Sequence, residues 1–398
     1  MQGSDSLFIN IWYIIFWGSV AIIVYNYFLY PVILIIARKF TRNRAELKTA
    51  DFTPQVTLII SAFNEDKVID QKIENSLNLD YPRERLEVLV VSDASTDKTD
   101  AIVREWEKKD ARVRLLRMPE RRGKTAGLNR AVQEARGEIL IFSDANAIYN
   151  INAIKELVKY FQRPEVGYVV GKAVYLEEGA SPAGNSEGLY WKYELWLKEL
   201  ESDFHSVVGG DGAIYAIRKE LFDPLQEDDI NDFVNPLQII AKGFRGVFNP
   251  RAVCYEYAAD QFEKEYHRKR RIVNRSWRAF KRYLHLFSWS RHGKFLFLLY
   301  SHKVIRWFNW VFLAAIYIST IIINLFTDSP FYRFILLLEL LFIALALIGY
   351  VLDKKGKSIP TIFYLPYYYH LINLAALGAF IDDLRGKKYV KWEHVRAG

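Results

Sequence analysis

Both ends of the chain are apolar and its middle is charged, and this division limits what the chain can fold into. Residues 8–37 contain no charged side chain, and further apolar segments lie near 304–326, 331–352 and 360–381. About 20 apolar residues in a helix span the hydrocarbon core of a bilayer. A cleaved signal peptide would be shorter and would begin with basic residues. The pattern therefore predicts transmembrane helices on both sides of a globular domain.

The basic clusters adjoin the apolar segments. Arg38 and Lys39 follow the first segment, and the cluster at 267–271 lies on the approach to the later ones. By the positive-inside rule, this predicts an integral protein of a bacterial inner or plasma membrane with its globular domain in the cytoplasm. The net charge of +8 then reflects juxtamembrane positions, so we predict the lipid bilayer, and no nucleic acid, as a partner. The single cysteine, Cys254, excludes an internal disulfide.

The apolar segments and charges divide the chain into five predicted units. Three C-terminal spans after one N-terminal span would place the basic tail on the outer face, against the positive-inside rule. Either the last apolar segment, which contains Pro360 and Pro366, is interfacial or re-entrant, or the rule fails here. The predicted units are an N-terminal transmembrane helix (1–40), a cytoplasmic globular domain (54–282), an interfacial helix region (283–303), C-terminal transmembrane helices (304–382) and a basic tail (383–398).

The middle of the chain has the pattern of an α/β fold. From about 54 to 260, short apolar runs alternate with amphipathic helical patterns. Such alternation is typical of an open α/β sheet, in which active residues lie at the carboxyl ends of strands. The predicted strands are 56–61, 86–91, 113–116 and 139–142, and the predicted helices are 69–77, 99–108, 124–134 and 153–161.

Three carboxylates occur where such a fold exposes side chains. Asp93 follows a predicted strand and is placed to meet a nucleotide base or ribose. Asp144 and Asn146 follow another strand, and two residues apart in an extended chain they point the same way, as ligands of Mg²⁺ or Mn²⁺ would. Asp232 begins a predicted helix that ends near Gly243. Taken alone, Asp232 is better explained as an N-terminal helical acid that the helix dipole favours.

Three loops have both a binding and a purely structural interpretation. The stretch 61–65 ends the first strand and is either a base-stacking shelf or a plain β-to-α turn. Residues 121–124 open a helix, and their positive side chains either suit a diphosphate or face solvent. Residues 209–212 either let backbone approach a ligand closely or make a tight turn before a strand at 213–217. Both interpretations stay open on the residues alone.

Taken in order, these motifs resemble the inverting family 2 glycosyltransferases with the α/β GT-A fold, in particular the membrane synthases related to cellulose, chitin and hyaluronan synthases. The resemblance covers about 54–282 and extends to the apolar flanks. It implies a nucleotide sugar as donor and Mg²⁺ or Mn²⁺ as cofactor. The motifs that carry it are the strand end at 61–65, Asp93, Gly123-Lys124, Asp144-Ala145-Asn146, Asn231-Asp232 and Gly243-Phe244-Arg245.

The resemblance also implies roles for individual residues. Asp232 would be the catalytic base, and Asp144 and Asn146 would hold the metal. The other implied roles are acceptor binding by Gly210, Asp211, Gly212 and Trp277, and nucleotide-sugar binding by Phe63, Glu65, Asp93, Lys124, Asn129, Asp144, Arg270 and Arg271.

Two departures from the family pattern bear on what the enzyme makes. Asn146 replaces the second aspartate of the metal-binding D-x-D motif. The Q-x-x-R-W motif of processive members aligns with residues 268–272, Arg-Lys-Arg-Arg-Ile, which keep only the arginine. In the family that tryptophan helps to hold the acceptor, and in this chain Trp277 lies close by.

The resemblance implies direct displacement, so that an α-linked nucleotide sugar, UDP-linked by family precedent, gives a β-linkage. The first predicted function is an enzyme that builds a β-linked polysaccharide, with export through its own helices as a further step. The second is transfer of one sugar to a polyprenyl phosphate or a glycolipid, which the missing tryptophan favours. The third is a catalytically inactive membrane scaffold or nucleotide-sugar sensor, against which the intact Asp232 argues.

Overall fold

The globular part of the protein is built on one eight-stranded sheet. The computed structural model describes residues 2–41, 52–176, 182–257 and 262–391. Residues 392–398 of the predicted basic tail lie outside these ranges. The strands are β1 (Val56–Ala62), β2 (Leu86–Ser92), β3 (Val113–Arg117), β4 (Ile139–Asp144), β5 (Ile148–Tyr149), β6 (Val166–Leu176), β7 (Tyr215–Arg218) and β8 (Arg245–Tyr257).

The strands lie in the order β3-β2-β1-β4-β7-β6-β8-β5. The first four of these run parallel to one another, whereas β7 runs antiparallel to both of its neighbours. Parallel strands end at one edge of a sheet, so the residues that close β1, β2 and β4 come together there. Ala62 pairs with Ser92 in this register, and Ser61 pairs with Asp144.

Helices cover the sheet and continue beyond it at both ends of the chain. The last helix ends at Leu384, close to the start of the predicted basic tail. The helices are α1 (Gln2–Val24), α2 (Tyr30–Thr41), α3 (Ile69–Leu77), α4 (Thr99–Lys109), α5 (Lys124–Glu134), α6 (Ala153–Val158), α7 (Pro182–Phe204), α8 (Asn231–Ala241), α9 (Phe262–Tyr283), α10 (Trp289–Leu299), α11 (Ile305–Trp307), α12 (Asn309–Phe326), α13 (Pro330–Lys354) and α14 (Thr361–Leu384).

The five predicted strands and four predicted helices are all present, with differences at their ends. The central strands β1, β2 and β4 are buried on both faces of the sheet, which gives them mostly apolar sequences. All of β1 is buried: Leu58 and Ile60 pack into the core on one side of the sheet and Ile59 into the core on the other. Burying each such side chain stabilises the fold by about 1.5–3 kcal/mol. The predictions lack β6 and β8, and β8 is interrupted by Gly246 and Pro250.

Three helical stretches are long and apolar enough to cross a membrane, Ser6–Phe40, Asn309–Phe326 and Pro330–Lys354. The fourth predicted span, near 360–381, forms α14, which is not among the candidates found in the described residues. Instead α14 lies beside the basic helix α9 of the globular domain, with Tyr364 against Phe262 near its start and Asp382 paired with Arg270 near its end. It also packs against two of the candidate spans, with His370 beside Tyr317 of Asn309–Phe326 and Phe342 of Pro330–Lys354.

The chain after α14 returns to the globular domain. The hydroxyl of Tyr389 donates a hydrogen bond of 2.6 Å to Asp382, and the backbone of Val390 lies against Gly123, where α5 begins. The described part of the tail therefore lies on the same side of the membrane-length helices as the globular domain.

The N-terminal helical stretch is packed into the core of the globular domain. Tyr30 and Leu34 are fully buried and belong to the same apolar cluster as Phe142 of β4. The hydroxyl of Tyr30 also donates a 2.7 Å hydrogen bond to the buried carboxylate of Glu201 on α7. The two predicted units, the membrane helix (1–40) and the globular domain (54–282), therefore share one apolar core.

Candidate active site

The carboxyl end of β4 supplies one wall of a cavity of about 410 Å³, through Asp144 and Asn146. The loop that follows is held by Lys72, which is fully buried. The Lys72 ammonium donates to the carbonyl of Ala147 and lies 3.9 Å from the ring centre of Tyr149. Burial lowers the pKa of Lys72 to about 7. This lysine fixes the backbone directly after Asn146.

The start of α5 brings a lysine into the cavity. Gly123 precedes the helix with a φ of +92°, which residues other than glycine rarely adopt. The Lys124 ammonium forms an ion pair with the carboxylate of Asp144. The two carboxylate oxygens of Asp93 accept 2.8 Å hydrogen bonds from the backbone N–H groups of Arg122 and Gly123. Asp93 therefore holds the loop that carries Lys124.

Asp232 lines the same cavity from the first turn of α8. Asn231 and Asn235 of this helix donate hydrogen bonds of 2.7 and 2.9 Å to the hydroxyl of Tyr215 on β7. The ring of Tyr215 in turn stacks on Phe142 of β4, with ring centres 4.8 Å apart. These contacts tie the start of α8, and with it Asp232, to the strand that ends at Asp144.

The carboxyl group of Asp232 is a stronger base than an ordinary aspartate. Desolvation by burial raises its pKa above the usual value. The charges of Asp211 and Asp144 raise the pKa further, whereas Lys124 and Arg275 oppose the rise. A carboxylate with a raised pKa takes up a proton more readily, which suits general-base chemistry.

Three functional side chains converge on Gly212. A β-carbon placed there would lie 3.5 Å from Oδ2 of Asp232, 3.7 Å from Nζ of Lys124 and 3.8 Å from Oδ2 of Asp144. Because glycine has no side chain, the space between these groups stays open. Two carboxylates and an ammonium group that are distant in sequence therefore share one small volume.

One face of α9 closes the cavity opposite β4, through Arg268, Arg271, Ile272 and Arg275. Arg271 and Ile272 each lie three or four residues from both Arg268 and Arg275, so the four side chains share one face of the helix. Arg275 is 8% exposed, and its guanidinium donates to the hydroxyl of Thr125 at 3.0 Å. Burial, with Arg271 nearby, lowers the pKa of Arg275 to about 10, so this guanidinium is charged at neutral pH. These arginines form a positive wall that suits an anionic group.

Comparison with known proteins identifies the part of the chain that supplies much of this site. Residues 57–225, which include the carboxyl ends of β1, β2 and β4, match the model of the family described as glycosyl transferase family 2. This part of the chain is a family 2 glycosyltransferase domain. The family, the GT-A fold and the enzyme class that the resemblance implied are thereby confirmed.

Two relatives and one solved structure show the range of similar glycosyltransferases. A dolichyl N-acetyl-alpha-D-glucosaminyl phosphate 3-beta-D-2,3-diacetamido-2,3-dideoxy-beta-D-glucuronosyltransferase of Methanococcus voltae is 28% identical over 76% of this chain and 98% of that protein. A beta-monoglucosyldiacylglycerol synthase of a Nostoc species is 33% identical over 40% of this chain and 34% of that protein. The structure of a mannosyltransferase from Pyrobaculum calidifontis with GDP-Man and Mn²⁺ has a TM-score of 0.71 and 21% identity, covering 93% of this chain and 99% of that one. This likeness supports the fold.

The glycosyltransferase structure brings most of the predicted site residues together. The cavity is shared by the predicted base, metal ligands and glycine-rich loop. The predicted site residues that line this cavity are Glu65, Lys124, Asp144, Asn146, Gly210, Asp211, Gly212, Asp232 and Arg271.

Two predicted residues on α9 lie on its other face. Arg270 forms two hydrogen bonds, of 2.7 and 2.6 Å, with the carboxylate of Asp382 on α14. Trp277 donates a 3.0 Å hydrogen bond to Asp383 and packs among aromatic rings, including Phe380. Because α14 covers this face, neither Arg270 nor Trp277 lines the cavity that contains Asp232.

Three other predicted nucleotide-binding residues also lie outside the cavity lining. Asn129 exchanges hydrogen bonds of 2.7 and 2.9 Å with the backbone of Leu225 and faces a separate cavity. Both oxygens of Asp93 bind backbone N–H groups of the 122–123 loop. Phe63 is buried beneath the guanidinium of Arg121, which lies 3.9 Å from its ring centre. In this arrangement these residues shape the loops around the site.

The sequence predictions missed several residues that line the cavity. Arg275 follows Arg271 by one helical turn, so the periodicity of α9 was a signal for it. Lys198 pairs with Asp211 at 3.6 Å from the neighbouring helix α7, and Lys303 enters from the segment before α12. No local motif marks these two lysines, because packing between elements brings them to the site.

Replacing Gly212 by alanine should reduce kcat/KM by about 100-fold without lowering the midpoint of thermal unfolding. The new methyl group would meet its neighbours at 3.5–3.8 Å, which is ordinary contact, but it would fill the space where substrate groups must pass. Gly293→Ala is the matched control, since a β-carbon there comes no closer than 3.9 Å to any neighbour. Full activity in Gly212→Ala would show that substrate does not enter between these groups.

Replacing Gly123 by alanine should lower the free energy of unfolding by about 1–3 kcal/mol from backbone strain, and further through a clash with the tail. The added β-carbon would lie 2.5 Å from the carbonyl oxygen of Val390. Gly356→Ala is a matched control, because Gly356 also has a positive φ, of +63°, but has no atom within 4 Å of that position. Thermal unfolding in detergent measures both losses. Equal losses would mean that the tail contact contributes nothing.

Proposed function

We propose that this glycosyltransferase moves one sugar from a nucleotide sugar to a membrane-anchored acceptor, with inversion at the anomeric carbon. The observation that carries the proposal is the position of the cavity. Its walls include Asp232 on one side, and Lys303 and Tyr368 on the other. Lys303 lies just before the candidate span Asn309–Phe326, and Tyr368 belongs to α14. An acceptor held in the bilayer can therefore reach the base directly.

The donor diphosphate is proposed to lie between Lys124 and the arginine face of α9. The N-terminus of α5 carries the partial positive charge of a helix dipole, and Lys124 adds a full charge. Arg271 and Arg275 complete a positive enclosure around a group with several negative oxygens. Family precedent favours a UDP-sugar, and the mannosyltransferase of similar fold was solved with GDP-Man.

The residues at the end of β4 fit a divalent cation of the Mg²⁺ or Mn²⁺ type. Asp144 and Asn146 offer a carboxylate and an amide oxygen, the ligand type that these cations take. Within the described residues, no group of three or more His, Cys, Asp or Glu side chains is placed to hold a metal by itself. The donor diphosphate and water would therefore complete the shell. When bound, such an ion would neutralise negative charge on the departing diphosphate.

In the proposed chemical step, Asp232 is the general base. Its carboxylate takes the proton of an acceptor hydroxyl while that oxygen forms a bond to the anomeric carbon. The bond from this carbon to the diphosphate oxygen breaks at the same time, and the nucleoside diphosphate leaves with the electron pair. Lys124 and the arginines of α9 stabilise the charge that develops on it. One displacement inverts the anomeric centre, so an α-linked donor gives a β-linked product.

Transfer of a single sugar is preferred to polymer synthesis for two reasons. Trp277, the nearest candidate for the acceptor-holding tryptophan of processive enzymes, is held against α14. In the most apolar stretch of each candidate span, at most 22% of the residues are buried within the protein. Most side chains of these helices therefore face away from the rest of the protein. Relatives named for lipid-linked acceptors, with dolichyl phosphate or diacylglycerol in their names, agree with this choice.

The test uses the whole chain in lipid vesicles with Mn²⁺ or Mg²⁺, a panel of UDP- and GDP-sugars, and lipid acceptors with and without phosphate. Nucleotide release and the mass of the lipid product are measured together. Gain of one sugar mass on a lipid would support the proposal. A long product sensitive to β-glycosidases would replace it with polysaccharide synthesis. Nucleotide-sugar binding without turnover on any acceptor would favour the scaffold or sensor.

A further inference from the structure

A second cavity, of about 150 Å³, adjoins the active-site cavity. The two cavities share four lining residues, Glu194, Lys269, Lys303 and Tyr368. The second is also lined by Tyr27 of the N-terminal stretch Ser6–Phe40 and by Asn309, the first residue of the candidate span Asn309–Phe326. It therefore lies between the reacting groups and the membrane-length helices.

The charged groups around the second cavity differ in how they are paired. Arg306 forms an ion pair with Glu194, whose other carboxylate oxygen lies 3.0 Å from Nε2 of His302. Lys269 lies 3.5 Å from Glu265 on its own helix. Among the described residues, the ammonium of Lys303 has no carboxylate within ion-pair distance, although it lines both cavities.

The surroundings of Lys303 also disfavour the charged form of its side chain. Burial lowers the pKa of Lys303, and the neighbouring cations Lys198 and Arg306 add to this, against the charges of Glu194 and Glu201. Lys303 is partly buried, and among the described residues no carboxylate lies within ion-pair distance to offset the cost of that burial. Glu194 is already held by Arg306 and His302, so an anion bound in the cavity would complete the surroundings of Lys303.

We propose that the second cavity binds the phosphate of a lipid-phosphate-linked sugar acceptor, with Lys303 as its main contact. The inference rests on the proposed function, because it places the acceptor's sugar hydroxyl at Asp232 and its lipid towards the membrane helices. The phosphate of such a molecule lies between its sugar and its lipid. The second cavity likewise lies between Asp232 and the helices, and a neutral glycolipid would leave Lys303 unpaired.

The test measures KM for two acceptors in vesicles, a short-chain polyprenyl phosphate-linked sugar and a neutral glycosyl diacylglycerol. Lys303→Met should raise KM for the phosphate-linked acceptor by about 10- to 100-fold, the effect of losing a hydrogen bond to a charged group. Lys303→Arg should restore most of the affinity. KM for the nucleotide sugar should not change. The control Lys294→Met removes an exposed lysine on α10.

Several results would overturn the inference. Transfer with an unchanged acceptor KM in Lys303→Met would remove Lys303 from the acceptor site, and a raised KM for the nucleotide sugar would assign it to the donor. If Lys303→Met does not fold, competition in the wild type decides. A short-chain polyprenyl phosphate should then compete with the acceptor and not with the donor, and its failure to compete counts against the site. Donor hydrolysis without transfer to either lipid would instead overturn the proposed function, and this inference with it.

Discussion

Asp232→Asn should reduce sugar transfer by about 10²–10⁴-fold while nucleotide-sugar binding stays close to that of the wild type. The amide keeps the shape of the side chain at the start of α8 but has no basic oxygen to take the acceptor proton. The backbone carbonyl of Asp232 would still accept its hydrogen bond from Gly210, so the loop at 209–212 should keep its place. Nucleotide release measured with saturating donor and acceptor gives the loss in kcat.

A matched control separates this loss from a general effect of removing a carboxylate. Asp223→Asn makes the same chemical change at a site outside the cavity, where Asp223 pairs with Lys242 at 2.8 Å and is 48% exposed. It should keep wild-type activity. Activity in Asp232→Asn within a few-fold of the wild type would remove the base role from this residue.

The raised pKa of Asp232 gives the same variant a pH signature. The native pKa lies above that of the unfolded chain, because burial and the charges of Asp211 and Asp144 oppose ionisation. Stability from this group is therefore present at low pH and is lost as the pH rises through the native value. At neutral pH, Asp232→Asn should have a higher midpoint of thermal unfolding than the wild type. On the acid side of its pH profile, kcat/KM of the wild type should fall with an apparent pKa above that of an ordinary aspartate, which is about 3.9.

Asp144→Ala should lower kcat/KM by about 100-fold or more, since it removes both the carboxylate ligand and the ion-pair partner of Lys124. Asn146→Asp makes the opposite change and should lower the Mn²⁺ concentration needed for half-maximal activity. Titration of activity with Mn²⁺ after chelation measures both effects. Equal activity of the wild type with and without chelator would show that the end of β4 does not hold a cation. The Asp223→Asn control applies here also.

The fold and the centre of the site were accessible from the sequence because they depend on local patterns. Strands buried on both faces have continuous apolar sequences, and parallel strands end at one edge, so Asp144 could be placed at a site. The conformation of Gly123, with φ of +92°, likewise agrees with a loop that needs glycine. Asp232 lies in a different part of the chain, and its proximity to Asp144 was implied by the resemblance alone.

The rest of the site depends on packing between elements, which the sequence does not encode locally. Arg270 and Arg271 are adjacent and chemically identical, yet one binds Asp382 of α14 and the other lines the cavity. The choice follows from which face of α9 packs against α14 and which face is turned to the cavity. Lys198 and Lys303 were missed for the same reason, since each enters from a helix whose sequence contains no recognisable motif.

The burial of Tyr30 and Leu34 has a practical consequence for anyone who wants to handle this enzyme in water. A truncated fragment that begins at residue 52 would lose two large side chains from its core, and losses of this kind typically destabilise a protein by about 2–5 kcal/mol each. The carboxylate of Glu201 would lose the hydroxyl that donates to it. We therefore expect such a fragment to aggregate and to lack activity.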